Sequence, residues 1–306
     1  MTAWMFPGQG SQQPAMANAI AECAELVSIG EGLVGPSLRW IATSPRSQVW
    51  PADLVQPAIY LTSVGASRTL RKLGARPEAV VGHSLGEFAA LYTAGVLSFE
   101  EGLEVVVARG RAMMRAGGRA AGGMAAVVGL ELTVIEEICE SAGSVWLANL
   151  NSESQFVISG TDEGLVSAAA IVKERGGKAI RLQVPVAAHT PLMAPAADDV
   201  AKALDAVELR IPEFPFYSCV DASRHSDPAE IRQLLIDGVT RPVKFEATVR
   251  AMADAGITSF VETGPGKALA GLVKRILPDA PITGISSDEE AAEFAAATVP
   301  VGQGIA

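Results

Sequence analysis

The sequence predicts an α/β protein with a largely parallel sheet, interrupted by a small subdomain of different texture. Three observations predict it. A G-x-S-x-G stretch, Gly82 to Gly86, lies between an apolar run, Ala79 to Val81, and residues recurring at helical spacing, Phe88, Leu91 and Tyr92. Strand-like runs elsewhere alternate with helical ones, the pattern of parallel sheets covered by helices. After a Gly- and Ala-rich stretch at Ala116 to Gly123 the order becomes β-α-β-β-α-β, that of a ferredoxin-like unit.

Taken in order, Ala3 to Phe6 is an apolar strand that runs into a loop of turn residues and amides, Pro7-Gly8-Gln9-Gly10-Ser11-Gln12. Residues 13–50 are irregularly helical, with Ser44-Pro45-Arg46 as a loop. Gln56-Pro57 opens a helix through Ala58, Ile59, Leu61, Val64 and Leu70 that ends near Gly74, because proline suits a first helical turn. Ser98 with Glu101 three residues on is a capping box, and its helix continues through Leu103, Val106, Val107, Gly110, Met113 and Met114. Ala116 to Gly123 is a hinge. The inserted unit follows as strand 124–128, helix 133–140, strands 145–148 and 155–159 joined by Asn149-Leu150-Asn151-Ser152, helix 162–175 and strand 179–184. The core resumes with helix 192–204, strand 216–220, helices 227–236 and 242–255, strand 259–262 and helix 268–277. The expected division is 1–122 and 190–286 for the core, 123–189 for the insert and 287–306 for a partly disordered tail with a short helix at 289–297.

With 49% hydrophobic and 19% charged residues, the 306-residue chain has the means to build a sizeable core. A formal net charge of −10 argues against a nucleic-acid partner and leaves room for a local basic patch facing an acidic one. Cys23, Cys139 and Cys219 are widely spaced with no C-x-x-C, so neither a metal site nor a disulfide framework is expected. The N-terminal residues lack a basic segment followed by an apolar one, and no stretch is a membrane span. The expectation is a soluble, cytoplasmic monomer with no membrane partner.

Strand, sharp turn and helix around Ser84 make a nucleophile elbow. The N–H of Leu85, just after it, is an oxyanion donor by that geometry. A serine nucleophile needs a base. Of three histidines, His83 adjoins Ser84 and points away by chain direction, and His225 sits in a polar loop and is solvated. His189, in a rigid loop at the subdomain junction, is the best base candidate. No acidic residue stands out as a third partner, so a backbone carbonyl is left to fix the imidazole tautomer. Arg109 lies in a helix apolar almost all round, so it needs an anionic partner, either a protein carboxylate or a ligand carboxylate.

Several motifs then fall together: Phe6-Pro7-Gly8-Gln9-Gly10-Ser11-Gln12, Gln56-Pro57-Ala58, Gly82-His83-Ser84-Leu85-Gly86-Glu87, Arg109-Gly110, Asn149-Leu150-Asn151-Ser152, His189 and Glu262-Thr263-Gly264-Pro265-Gly266-Lys267. In this order, over about residues 1 to 285, the sequence resembles the malonyl-CoA:acyl carrier protein transacylase family, which includes the acyltransferase domains of polyketide synthases. The resemblance implies an α/β-hydrolase-like core with a parallel sheet and a ferredoxin-like insert. It implies an acyl ester on Ser84 drawn from coenzyme A and handed to the pantetheine thiol of an acyl carrier protein, in fatty acid or polyketide biosynthesis. His189 would be general base and then general acid, and Gln9 and Leu85 would form the oxyanion hole. Arg109 would pair with the carboxylate of a malonyl-type group, with Gln56, Met113 and Ala188 as further substrate-binding residues. No cofactor is implied, since the thioester is a substrate and the phosphopantetheine belongs to the partner. Two positions depart from the family pattern: Ala188, often Ser or Phe, and Arg241, often Asn or Ser, whose carbonyl would orient His189. The alternatives are a branched malonyl substrate, an editing hydrolase with water as acceptor, and a non-catalytic docking subunit.

Overall fold

The structure is a computed structural model, and it describes residues 1–45, 50–119 and 121–299. The chain opens with β1 (Thr2–Phe6), α1 (Glu22–Val34), α2 (Ser37–Thr43), α3 (Ala52–Lys72), β2 (Ala79–Gly82), α4 (Gly86–Thr93) and α5 (Phe99–Gly117). It continues with β3 (Gly122–Val128), α6 (Leu132–Ala142), β4 (Val145–Ser152), β5 (Gln155–Thr161), α7 (Asp162–Glu174) and β6 (Lys178–Arg181). A 3-10 turn, Pro191–Met193, leads to α8 (Ala194–Asp205), β7 (Phe216–Ser218), β8 (Ser223–His225), α9 (Pro228–Asp237) and α10 (Phe245–Asp254). Last come β9 (Ser259–Thr263), α11 (Ala268–Ile276), β10 (Ile282–Ile285) and α12 (Asp288–Thr298).

Six strands form the main sheet in the order β10-β9-β1-β2-β7-β8, parallel except for β8, the hairpin partner of β7. Strand β1 is central, and it reads as an uninterrupted apolar run because both its faces are covered. Trp4 and Phe6 enter the core on one face with Val80, while Ala3 and Met5 enter a second core with Ala79, Val81, Phe245 and Phe260 on the other. The second sheet, antiparallel in the order β4-β5-β3-β6, has the ferredoxin-like arrangement. Its core is separate, with Val127, Phe156 and Ile158 packed against Ile135, Ile138, Leu165 and Val172 of its two helices.

The helix predicted to open at Gln56 begins at Ala52, with Pro51 ahead of it and Pro57 inside it. Strand β4 runs on through Asn149–Ser152, read from its amides as a connector, and Asn149 bridges in parallel to Val243. Val243 therefore belongs to that bridge, with Pro242 just ahead of it, and helix α10 starts at Phe245. Strand β10 carries no signal in the sequence, because a glycine interrupts its four residues. The expected tail holds α12, which buries Ala291 and Ala295. Parts of three expected features, Arg46 in the loop, Ala120 in the hinge and 300–306 in the tail, lie outside the described residues.

Two close approaches place the site. A Cβ at Gly86 would lie 1.9 Å from the Phe6 carbonyl oxygen, so only glycine lets α4 start against the end of β1. A Cβ at Gly110 would lie 2.6 Å from Asp53 Cα, so glycine brings α5 onto α3 and Arg109 beside Gln56. Helix α5 starts at the predicted capping box: Glu101 N–H donates to Ser98 Oγ at 3.1 Å, and Ser98 N–H donates to Glu101 Oε2 at 2.7 Å.

Candidate active site

Ser84 and His189 have φ of 54° and 61°, a left-handed region that non-glycine residues adopt at a cost of about 1–3 kcal/mol each. Their strained backbones bring Ser84 Oγ within 2.9 Å of His189 Nε2. The other ring nitrogen, Nδ1, lies 3.0 Å from the Arg241 carbonyl oxygen. A carbonyl can only accept, so Nδ1 carries the proton and Nε2 presents a lone pair to the Ser84 hydroxyl. Burial pushes the His189 imidazole down to about 3, helped by the Arg109 charge, so it is neutral at ordinary pH.

Arg109 is buried. Its Nη1 donates to Gln56 Oε1 at 2.7 Å and its Nη2 to Ser84 Oγ at 3.0 Å. Among the described residues no carboxylate lies within ion-pair distance of it. Burial lowers it to about 10, partly offset by the nearby charge of Glu87, so it stays cationic. A guanidinium has no acceptor, and this fixes the amides beyond it. Gln56 must turn Oε1 to Arg109, so its Nε2 donates to Gln9 Oε1 at 3.0 Å, with Met113 Sδ 3.6 Å away. Gln9 Nε2 is thereby left to donate elsewhere. One hydrogen-bonded chain runs from Gln9 through Gln56, Arg109, Ser84 and His189 to the Arg241 carbonyl.

In the elbow, the amides of Gly86, Glu87 and Phe88 go to the carbonyls of His83, Ser84 and Leu85 at 3.0, 3.1 and 3.2 Å, and none of these bonds uses the Leu85 N–H. Ala188 packs into the main core. It is not among the residues lining the roughly 10 Å³ cavity beside Ser84, which include Glu87, Arg109, His189 and Arg241.

Two features were not assigned a role from the sequence. Glu87 is buried, accepts from Ser218 Oγ at 2.9 Å and Cys219 N at 2.8 Å, and is pushed up to about 7 by burial. His83 Nε2 donates to Asn151 Oδ1 at 3.0 Å, tying the elbow to the second sheet. The side-by-side amides of Asn149 and Asn151 were the available signal. His225 is not a solvated loop residue: it ends β8, its side chain 14% exposed, between Asp221 (2.9 Å) and Glu230 (3.1 Å). Among the described residues no group of three or more His, Cys, Asp or Glu is placed to hold a metal ion, and no helix is long and apolar enough to cross a membrane.

From Gly8 and Gln9 a groove of about 410 Å³ runs past His83, Asn151 and Gln155 to Lys267 and Arg275. A catalytic-type serine, a neutral histidine, an arginine bonded to neutral groups and an open groove suit transfer of an anionic acyl group. Known proteins agree. The acyl transferase domain matches residues 3–287. The malonyl CoA-acyl carrier protein transacylase of Bacillus subtilis is 36% identical over 287 residues, 90% of each chain. The solved transacylase of that name from Coxiella burnetii superposes with a TM-score of 0.92 at 35% identity, covering 96% of both chains. A solved complex of a type II PKS acyl-carrier protein with its malonyl-transacylase gives 0.89 at 30% identity, covering 95% of this chain and 97% of the other. The elbow, the two-sheet architecture and these likenesses make the chain a member of the malonyl CoA-acyl carrier protein transacylase family of acyltransferases.

Proposed function

We propose that this enzyme moves a malonyl group from coenzyme A to the pantetheine thiol of an acyl carrier protein, through an ester on Ser84. The observation that carries the reading is Arg109, a buried cation paired only with neutral groups and touching the nucleophile. Ser84 Oγ attacks the thioester carbonyl and gives its proton to His189 Nε2. The oxyanion is held by the Leu85 N–H and by Gln9 Nε2, the amide proton donor left over by the relay. Collapse expels the coenzyme A thiolate, which takes the proton from His189. The carrier thiol then reverses the sequence, giving its proton to His189 as it attacks the ester. Arg109 turns from Ser84 to the malonyl carboxylate. No step calls for a cofactor, and the cytoplasm, where such carriers and acyl-CoA pools are found, is the compartment we assign. We take 1–122 with 190–286 as the core and 123–189 as the insert, because the second sheet's strands fall between Gly122 and Arg181. Purified enzyme, carrier protein and labelled malonyl-CoA test the reading: label should move to the carrier, and release of free acid would instead mean a hydrolase.

A neutral His189 has a kinetic consequence. The acid limb of kcat/KM for acylation should lie far below the ordinary histidine value of 6.5. The sign for stability is the same. With the folded value depressed, His189 contributes stability above pH 6.5, lost as pH falls towards about 3. Glu87, near 7, titrates in the same cavity, so the profile is measured in Glu87→Gln as well. A limb near 6.5 in both proteins would mean a protonatable, exposed imidazole.

Carrier docking is proposed to use Lys173, Arg175, Lys178, Arg181, Lys267, Lys274 and Arg275. All are exposed, but Arg175, Arg181 and Lys267 are paired with Glu137, Asp162 and Glu290. Lys267 and Arg275 stand on the groove that leads to Gln9. Transfer to the carrier should slow as salt rises and in Lys267→Glu with Arg275→Glu, while transfer to uncharged free pantetheine should not. Equal response of both acceptors would sink the patch.

A further inference from the structure

Among the described residues His189 has no carboxylate within ion-pair distance. One stretch of backbone holds it at two atoms instead: its amide donates to the Val239 carbonyl at 3.2 Å, and Nδ1 donates to the Arg241 carbonyl at 3.0 Å. That stretch, 238–243, is a strap fixed at both ends. At the far end Pro242 holds the preceding residue to extended conformations. Val243 N–H then donates to the Ala148 carbonyl, and Leu150 N–H to the Val243 carbonyl, both at 2.9 Å, on β4 of the second sheet.

The near end is tied at Asp237, the last residue of α9. Its carbonyl accepts from Thr240 N–H at 3.0 Å, Arg241 N–H at 2.8 Å and Thr240 Oγ at 3.3 Å. Its carboxylate accepts from Arg241 Nη1 at 3.0 Å on one oxygen and from Gln233 Nε2 at 2.8 Å on the other. Arg241 is thus fastened to Asp237 through its backbone and through its side chain, and it is the Arg241 carbonyl that accepts the hydrogen bond from His189 Nδ1–H. We infer that Asp237 is a positioning residue for His189, setting through Arg241 the carbonyl that an acidic third partner would otherwise replace.

The inference rests on His189 being the base. The ion pair is at the surface, with side chains 50% and 28% exposed, so it adds little to stability. Reaction rates are far more sensitive to where a base sits than stability is to such a pair. Rate and stability should therefore separate.

The test compares Asp237→Ala, Asp237→Asn, Arg241→Ala and the double alanine variant with wild type. The control is Asp205→Ala, which breaks a different ion pair of α9, Asp205 with Arg232. Single-turnover acylation by malonyl-CoA is read by quenched mass spectrometry, and the His189 tautomer by ¹⁵N shifts. Asp237→Ala should slow acylation roughly ten-fold, a loss that sub-ångström misplacement can produce, with KM and thermal midpoint nearly unchanged. The Nδ1–H tautomer should lose population, and Asp237→Asn, which keeps size and one acceptor, should fall between. The double variant should be no slower than the slower single one, since both remove the same tie. Control rates should match wild type. Wild-type acylation and tautomer in Asp237→Ala, or losses that multiply in the double variant, would overturn the inference while labelling of Ser84 in wild type leaves the proposed function standing. Label that never reaches Ser84 in wild type would bring down the function itself.

Discussion

Ser84→Ala is expected to abolish acyl-enzyme formation, lowering acyl transfer by on the order of 10⁵ or more, as loss of a serine nucleophile does elsewhere. The fold should survive. The hydroxyl makes two hydrogen bonds, to His189 Nε2 at 2.9 Å and from Arg109 Nη2 at 3.0 Å, and it stands on a partly exposed turn. Bonds of that kind contribute about 1 kcal/mol each, and alanine suffers the same left-handed backbone as serine. Intact-protein mass spectrometry after mixing with malonyl-CoA is the measurement. A malonyl adduct persisting in the variant would remove Ser84 from the mechanism.

Arg109→Ala should separate substrates by charge. A desolvated guanidinium grips a carboxylate through a planar fork, and breaking such a pair costs about 3–5 kcal/mol. Malonyl transfer should fall by more than 100-fold, and acetyl transfer much less. Some general loss is expected, because Gln56 Oε1 is then left buried without its donor. Lysine keeps the charge but not the fork, so Arg109→Lys should recover only part of the malonyl preference. Competition between malonyl-, methylmalonyl- and acetyl-CoA decides the matter, and equal loss on all three would make Arg109 structural. In the same assay Ala188→Phe should disfavour the branched acyl group by about 1–3 kcal/mol. Since Ala188 packs in the core, that effect must be read as a ratio between substrates and not as an absolute rate.

Local chemistry was legible in the sequence wherever one short segment held both the signal and its context. The elbow is such a case: strand, G-x-S-x-G and helix are contiguous. So is the capping box of Ser98 and Glu101. The ferredoxin-like order was readable because each strand and helix of the insert is a short run with its own period and turn signals, although β3 pairs with the more distant β5 and β6. Long-range geometry was not. Gln9, Gln56 and Arg109 stand 47 and 53 residues apart, and tertiary packing joins them, the Gly110 approach to Asp53 helping to bring Arg109 to Gln56. Gln56-Pro57 suggested a helix start, whereas Pro51 precedes the helix and the second proline is absorbed a turn later. Asn149 and Asn151 looked like loop residues because their amides face a histidine of the elbow, His83, instead of an apolar core. Of the strap around Arg241, only the carbonyl that the resemblance assigned to His189 was legible; most of its other bonds are made by backbone atoms, which every residue type possesses.

The position of β1 bears on how the chain comes off the ribosome. Its register joins Thr2 to Ser259 on one side and Ala3 to Ala79 on the other. The first strand made is therefore completed by one of the last, and the central sheet cannot close until residue 263 has emerged. The strand pairings of the antiparallel sheet all lie within 122–181, so they are available far earlier. For much of synthesis the apolar edge of β1 waits for a partner, and such unpaired edges invite association with other chains. The nascent polypeptide thus carries a folded insert beside an unfinished core, and chaperones have most to protect in that interval.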